Sequence, residues 1–187
     1  MKQYLNLIAS LAVLIFVLGA SFYFAEFTAN NEAVRELVNT YGYVGAYVTA
    51  TLLGLSAVAP VPSAIFMPVF TSAELLPVFV IIALSLGTLT ADVCGYYLGH
   101  LNTNLITSRY PRLHAWFQRL YTERYLVFML AVFLYVAFVP LPNELVVISL
   151  GVLGASLRPL IVPLFLGSVI HHTIFAFGTQ TLYGLLF

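Results

Sequence analysis

The sequence predicts an all-α integral membrane protein. It is expected to be an inverted repeat of two re-entrant helical hairpins, each followed by a transmembrane helix, with an N-terminal anchor helix in front. Three observations carry that prediction. First, 61% of the 187 residues are hydrophobic and only 7% are charged, against about 25% charged in a soluble domain. So few charges cannot cover a chain of this size in water, and lipid must serve as part of its solvent. Second, the apolar residues fall in runs long enough to cross a bilayer or to enter it and return. Third, a Pro-x-Pro element interrupts two of these runs at a fixed sequence offset.

Lys2 precedes an apolar run from Tyr4 to Phe24. That length suits a retained anchor, residues 1–25, better than the shorter apolar core of a signal peptide, and no clear A-x-A cleavage site follows. A cleaved signal peptide is the competing reading. Glu26, Glu32, Arg35 and Glu36 then mark a polar stretch, 26–40, expected to form an extracytoplasmic amphipathic helix. The membrane domain, 41–184, divides into a first hairpin and span (41–99), a cytoplasmic basic loop (100–124) and a second hairpin and span (125–184).

In the first unit the apolar run Tyr41 to Ala59 meets Pro60-Val61-Pro62 and continues to Phe70. Each half is short for a span. Proline removes a backbone donor and clashes with the preceding turn, so a straight helix through the pair is not expected. A hairpin that enters and leaves on one side fits better; a tight pair of full spans is the alternative. Leu75 to Gly99 is long enough to cross. The second unit repeats the pattern: Tyr125 to Val139, Pro140-Leu141-Pro142, a short segment to Leu153, Arg158, then a span from Leu160 to Leu182. At an offset of 80, Pro60 and Pro62 map onto Pro140 and Pro142, and Leu84, Leu86 and Gly87 map onto Leu164, Leu166 and Gly167.

Orientation follows from the excess of Lys and Arg on cytoplasmic loops. With Lys2 inside, the acidic stretch lies outside and the span 75–99 brings Arg109, Arg112, Arg119 and Arg124 to the cytoplasm, where Arg158 also falls. Only Arg35 of the seven basic residues is then outside. The two units come out inverted, an architecture that transporters use, with broken helices meeting near the midplane. The expected location is the cell (plasma or inner) membrane, with a cytoplasmic N-terminus.

The segment Gly87-Thr88-Leu89-Thr90-Ala91-Asp92-Val93-Cys94-Gly95-Tyr96-Tyr97-Leu98-Gly99-His100 resembles the G-x-x-x-G-D-x-x-x-Y-x-x-G-R signature of the DedA family, also called VTT-domain or SNARE-associated proteins. Phe138-Val139-Pro140, Leu150-Gly151-Val152-Leu153-Gly154, Arg158 and Gly167 follow in the order that the family shows. The resemblance covers roughly 41 to 184. It implies two inverted re-entrant hairpins with flanking spans, and lipid translocation: relatives move polyprenyl-phosphate carriers or phospholipids, some with proton coupling. This chain departs from the family at two places. Ser63-Ala64-Ile65 stands where the first hairpin usually carries an acidic residue, and Ala137 and Asn143 stand where the second usually carries arginines.

Few polar residues fall inside the apolar runs. A carboxylate in a membrane hairpin is costly and by default a functional candidate, which puts Glu144 first. It also fits the opening of a half-helix, with Asn143 as the cap and Glu144 near the N-terminal dipole. Asp92 lies within a span, one turn from Thr88 and Tyr96 on the same face; it is read either as a proton-relay carboxylate or as a hydrogen-bond hub. His171 and His172 lie in the equivalent span, with His172 at the offset position of Asp92. Either is a proton-coupling group facing Asp92 or Glu144, or a maker of interhelical hydrogen bonds. Pro60, Pro62, Ser63, Pro140, Pro142 and Asn143 are expected to line a polar crevice, because backbone groups freed by proline survive at membrane depth only in protein or in a wet cavity. Asp92 and Glu144 are expected near mid-membrane, accessible from that crevice. The arginines Arg109, Arg112, Arg119, Arg124 and Arg158 read as headgroup or interface anchors.

The expected function is lipid translocation of the flippase or scramblase type, with proton coupling as a variant. The alternatives are a proton-coupled small-solute transporter and a non-transporting membrane assembly factor. Membrane lipids, of phospholipid or polyprenyl-phosphate type, and protons are the expected partners, and a homo-oligomer is compatible with the sequence. An enzyme is not expected: there is no G-x-S-x-G, no H-E-x-x-H and no plausible Ser/His/Asp set. Nor is a cofactor or metal. Adjacent helical residues point about 100° apart, so His171 and His172 cannot easily share an ion. The lone Cys94 excludes both an intramolecular disulfide and a cysteine metal site. Nucleic-acid binding has no footprint beyond the loop arginines.

Overall fold

The structure, a computed structural model, describes Tyr23, Glu26, Phe27 and residues 30–55, 63–73, 75–103, 108, 110–139 and 143–186. Most of the expected anchor, the four hairpin prolines Pro60, Pro62, Pro140 and Pro142, and Arg109 lie outside these residues. The described residues are helical, with no strand among them. The helices are α1 (Glu32–Gly54), α2 (Met67–Ser72) entered through a 3-10 turn (Ser63–Phe66), α3 (Pro77–His100), α4 (Pro111–Glu123), α5 (Tyr125–Phe138), α6 (Asn143–Val152) and α7 (Leu157–Leu186).

The expected polar helix 26–40 is not a separate element. Asn31 caps α1, its side chain accepting from the Val34 N–H at 3.2 Å, and Glu32 sits in the first turn, where a carboxylate suits the helix dipole. From there one helix runs through residue 40 into the apolar stretch. No proline or glycine pair stands between them to stop it.

Among the described residues two helices are long and apolar enough to cross a bilayer: α3, and α7 over Leu157–Gly178. Both agree with the spans read from the sequence. α3 starts on a proline, where no backbone donor is needed. α5 has 14 residues and α6 has 10, so at 1.5 Å per residue they reach about 21 and 15 Å, short of a hydrocarbon core of about 30 Å. Among the described residues a third crossing exists only if α4 and α5 count as one span, yet they meet at an angle of 101°. Phe117 and Tyr121 on α4 meet Phe128 edge-on, at 5.6 and 5.3 Å between ring centroids, and fill that corner.

Packing follows a reciprocal scheme. α3 packs against α1 and α6; α7 packs against α5 and against the 3-10 turn with α2; and α3 meets α7. Glycines set the closest approaches. A Cβ on Gly87 would lie 2.3 Å from the Tyr47 carbonyl oxygen and 2.8 Å from the Ala50 Cβ. A Cβ on Gly167 would lie 3.1 Å from the Phe133 carbonyl oxygen and 2.8 Å from the Val136 Cβ. Each span is thus held backbone-to-backbone against the first limb of its own unit. Between units, a Cβ on Gly99 would lie 2.1 Å from the Ile148 carbonyl oxygen, and one on Gly151 would lie 2.2 Å from that of Tyr96. Small residues let helices approach closely in lipid, where packing rather than hydrophobicity drives association.

Two apolar cores result. One joins Ala46, Ala50, Met67, Phe70, Val80 and Leu84 with Ala176; the other joins Tyr96, Val132, Val136, Val147, Leu160 and Leu164. α3 runs from the first core to the second, and α7 from the second to the first.

Candidate functional site: a polar layer between two apolar cores

Four of the five buried polar side chains among the described residues lie between those cores, Ser63 being the fifth. On α3, Ser85 and Asp92 fall between Leu84 and Tyr96; on α7, Ser168 and His172 fall between Leu164 and Ala176. All four lie within about 7 Å, along the helix axis, of the middle of their span. Ser85 and Asp92 are seven residues apart, two turns along one face of α3, and Ser168 and His172 are one turn apart on α7.

Asp92 is 0% exposed, and neither carboxylate oxygen has a hydrogen-bond partner among the described residues. This corrects the expectation that Thr88 and Tyr96 serve as its donors. Tyr96 instead donates to the Ala155 carbonyl at 2.5 Å, beyond the end of α6. α6 stops there in a Schellman turn: Gly154 adopts φ +76°, its N–H bonds to the Gly151 carbonyl, and the Ala155 N–H bonds to that of Leu150. The turn places the Ala155 carbonyl where the Tyr96 hydroxyl reaches it. Asp92 is enclosed, and the four prolines expected to line the crevice lie outside the described residues.

Glu144 stands in the first turn of α6 and is half-buried. Its carboxylate lies against its own backbone N–H, at the positive end of the helix dipole. It lies within electrostatic reach of Asp92. Oε1 is 3.3 Å from the position of a Cβ on Gly54, and that position is 2.5 Å from the Cβ of Ala91. The end of α1, the middle of α3 and the start of α6 therefore converge on the two carboxylates.

His172 is 2% exposed and fully engaged. Its Nδ1 is 2.7 Å from the Ser168 carbonyl oxygen and 3.2 Å from the Ser85 hydroxyl, and its Nε2 is 3.0 Å from the Ser63 hydroxyl. A carbonyl only accepts, so Nδ1 carries the proton and Nε2 accepts from Ser63. One imidazole thereby ties α7 to α3 and to the 3-10 turn of the first unit. His171 points elsewhere, to the backbone carbonyl of Ala137 and onto the Phe175 ring, 4.8 Å between centroids. Neither histidine makes a hydrogen bond to Asp92 or Glu144 among the bonds described, so the expected histidine–carboxylate pairing is replaced by a histidine–serine node.

These positions correspond between the units. Asp92 and His172 share the offset of 80, as do Ser63 and Asn143. In one unit's span Asp92 lies near the start of the other unit's second limb, at Glu144; in the other, His172 bonds the start of the reciprocal limb, at Ser63. Ser85 and Ser168 were not singled out from sequence. Their signal was spacing, two turns before Asp92 and one before His172, but isolated serines in apolar helices carry little weight alone.

The basic residues stay at the periphery. Arg112, Arg124 and Arg158 are exposed, and Arg119 forms an exposed ion pair with Glu123 at 2.8 Å. Asn143 opens α6 and is half-buried. Cys94 is exposed. Among the described residues no group of three or more His, Cys, Asp and Glu side chains gathers as a metal site.

Fold and site together define a class: an α-helical membrane protein with a sealed polar layer midway along its spans. No protein-family model, curated protein or solved structure matches the chain.

Proposed function

We propose that the chain is a gated membrane transporter, built as two inverted units with re-entrant hairpins, that translocates lipid in exchange for protons. The carrying observation is Asp92, an unpartnered carboxylate at mid-span beside Glu144. A buried polar group without a partner is costly, and in a membrane interior such a group is retained for function. Any charge on Asp92 is uncompensated by a described donor, so the site is complete only with a proton or a ligand on it. The reciprocal packing of α3 and α7, with Gly87 and Gly167 in matching roles, supports the repeat. The limbs α5 and α6, too short to cross, support re-entry. The lipid substrate rests on the resemblance to the DedA family. Asp92 and Glu144 are the coupling residues, His172 ties the units together, and the arginines engage headgroups at the cytoplasmic face, with the N-terminus on that side.

One observation favours a second reading, proton-coupled transport of a small solute: Asp92 is sealed, as in a closed pocket, rather than open sideways to lipid.

The test is lipid flipping in vesicles reconstituted with the full chain. A membrane-impermeant quencher reports how much labelled phospholipid reaches the outer leaflet. Quenching is expected to exceed the outer-leaflet share only under a pH gradient, and Glu144→Gln is expected to lower the rate by about tenfold or more, the equivalent of about 1.4 kcal/mol. Flipping that ignores the gradient would exclude coupling. No flipping with or without it would leave the small-solute transporter or a non-transporting assembly role.

A further inference from the structure

We infer that the Asp92–Glu144 site binds a primary ammonium group. The inference deepens the proposed function and rests on it for the lipid source of that group. The fixed charges around the site are negative. α3, α5 and α6 contain no Lys or Arg, and α7 carries only the exposed Arg158 in its first turn. Two carboxylates converge there, and both oxygens of Asp92 have no donor among the described residues.

The backbone adds to this. α1 ends at Gly54, beside Glu144. A helix C-terminus presents carbonyl oxygens and a partial negative charge, which favours a cation. The opposing positive end, at the start of α6, is already matched by the Glu144 carboxylate on its own N–H. An anionic group entering this place would meet repulsion and no cationic donor.

A metal ion suits the place less, because no third Asp, Glu, His or Cys side chain joins the two carboxylates among the described residues. A primary ammonium carries three N–H donors and satisfies both Asp92 oxygens at once. It also competes with the proton for the same carboxylate, so uptake of one releases the other, which is the exchange that coupled transport requires. The group comes either from an ethanolamine lipid headgroup or from a soluble amine.

Two measurements on the full chain test this and separate the sources. Vesicles carry acyl-labelled phosphatidylethanolamine, phosphatidylcholine or phosphatidylglycerol, under a pH gradient. Thermal unfolding in detergent is followed with ethanolammonium, tetramethylammonium or sodium chloride at equal concentration. Phosphatidylethanolamine is expected to move about tenfold faster than phosphatidylglycerol, and Asp92→Asn and Glu144→Gln to cut that preference to about twofold or less. Ethanolammonium is expected to raise the unfolding midpoint of the native chain, but not of either variant, and the other two cations are not. Glu144→Gln carries the test if Asp92→Asn does not fold. If no lipid moves and ethanolammonium still stabilises, the lipid reading fails and the ammonium site stands with a soluble amine. If ethanolammonium does no more than sodium, or phosphatidylglycerol moves faster, the ammonium site is overturned.

Discussion

At the residue scale, Asp92 and His172 occupy corresponding places and behave oppositely. His172 has partners at both ring nitrogens; neither oxygen of Asp92 has one among the described residues. Their substitutions should therefore diverge. Asp92→Asn removes no described hydrogen bond, so stability is expected to stay the same or rise, while transport falls. A hydrogen-bond hub would instead lose stability. His172→Phe leaves the Ser63 and Ser85 hydroxyls and the Ser168 carbonyl without their shared partner, and is expected to cost about 1–3 kcal/mol. Unfolding in mixed micelles, titrated with a denaturing detergent, measures both. The sequence identified the two residues because charged and imidazole groups stand out in apolar runs. It did not identify their partners, since Ser63 is 109 positions from His172 and only the tertiary fold brings them together.

At the element scale, glycines place the helices. Gly87→Val adds a branched side chain where even a Cβ would lie 2.3 Å from backbone, and Gly167→Val meets Val136 at 2.8 Å. Each is expected to destabilise by about 1–3 kcal/mol or more. Gly178→Ala, with nothing within 4 Å, is expected to change little and serves as the control in the same titration. The spans were legible because length and hydropathy decide them. The join of the polar stretch to α1 was not, because a change in composition at residue 40 looks like a boundary, whereas the backbone needs a proline, a glycine or a cap to stop. The recurring Leu-x-Leu-Gly was visible as a pattern, but that its glycine meets the first limb of its own unit is a tertiary fact. In the first limbs the matching contacts, Tyr47 and Ala50 against Phe133 and Val136, are offset by 86 positions rather than 80. Six more residues thus separate contact from proline pair in the first unit.

At the scale of the whole molecule, the proposed orientation puts Arg112 and Arg158 on one side of the membrane and Arg35 on the other. Single cysteines at these positions, in a chain with Cys94→Ala, are expected to react with an impermeant thiol reagent from opposite sides of oriented vesicles. Labelling of all three from one side would overturn the inverted arrangement. Class and membrane location were legible from composition, and the candidate carboxylates from their rarity. The sealing of Asp92 was not, because it depends on α1, α3 and α6 closing around it through glycine contacts that no local pattern specifies.

Those glycine contacts sort the helices mechanically. α1 and α6 are both fixed to α3 backbone-to-backbone, while α5 is fixed in the same way to α7, and His172 adds Ser63 and its 3-10 turn to α7. The two limbs of each unit are thereby divided, one packing with each span. The described helices therefore sort into two bodies, one packed around each span. The seam between the bodies is the α3–α7 contact, held in part by the Ser85–His172 bond. Asp92 and Glu144 both belong to one body, so sliding along the seam would carry the pair as a unit and change what it faces without pulling it apart.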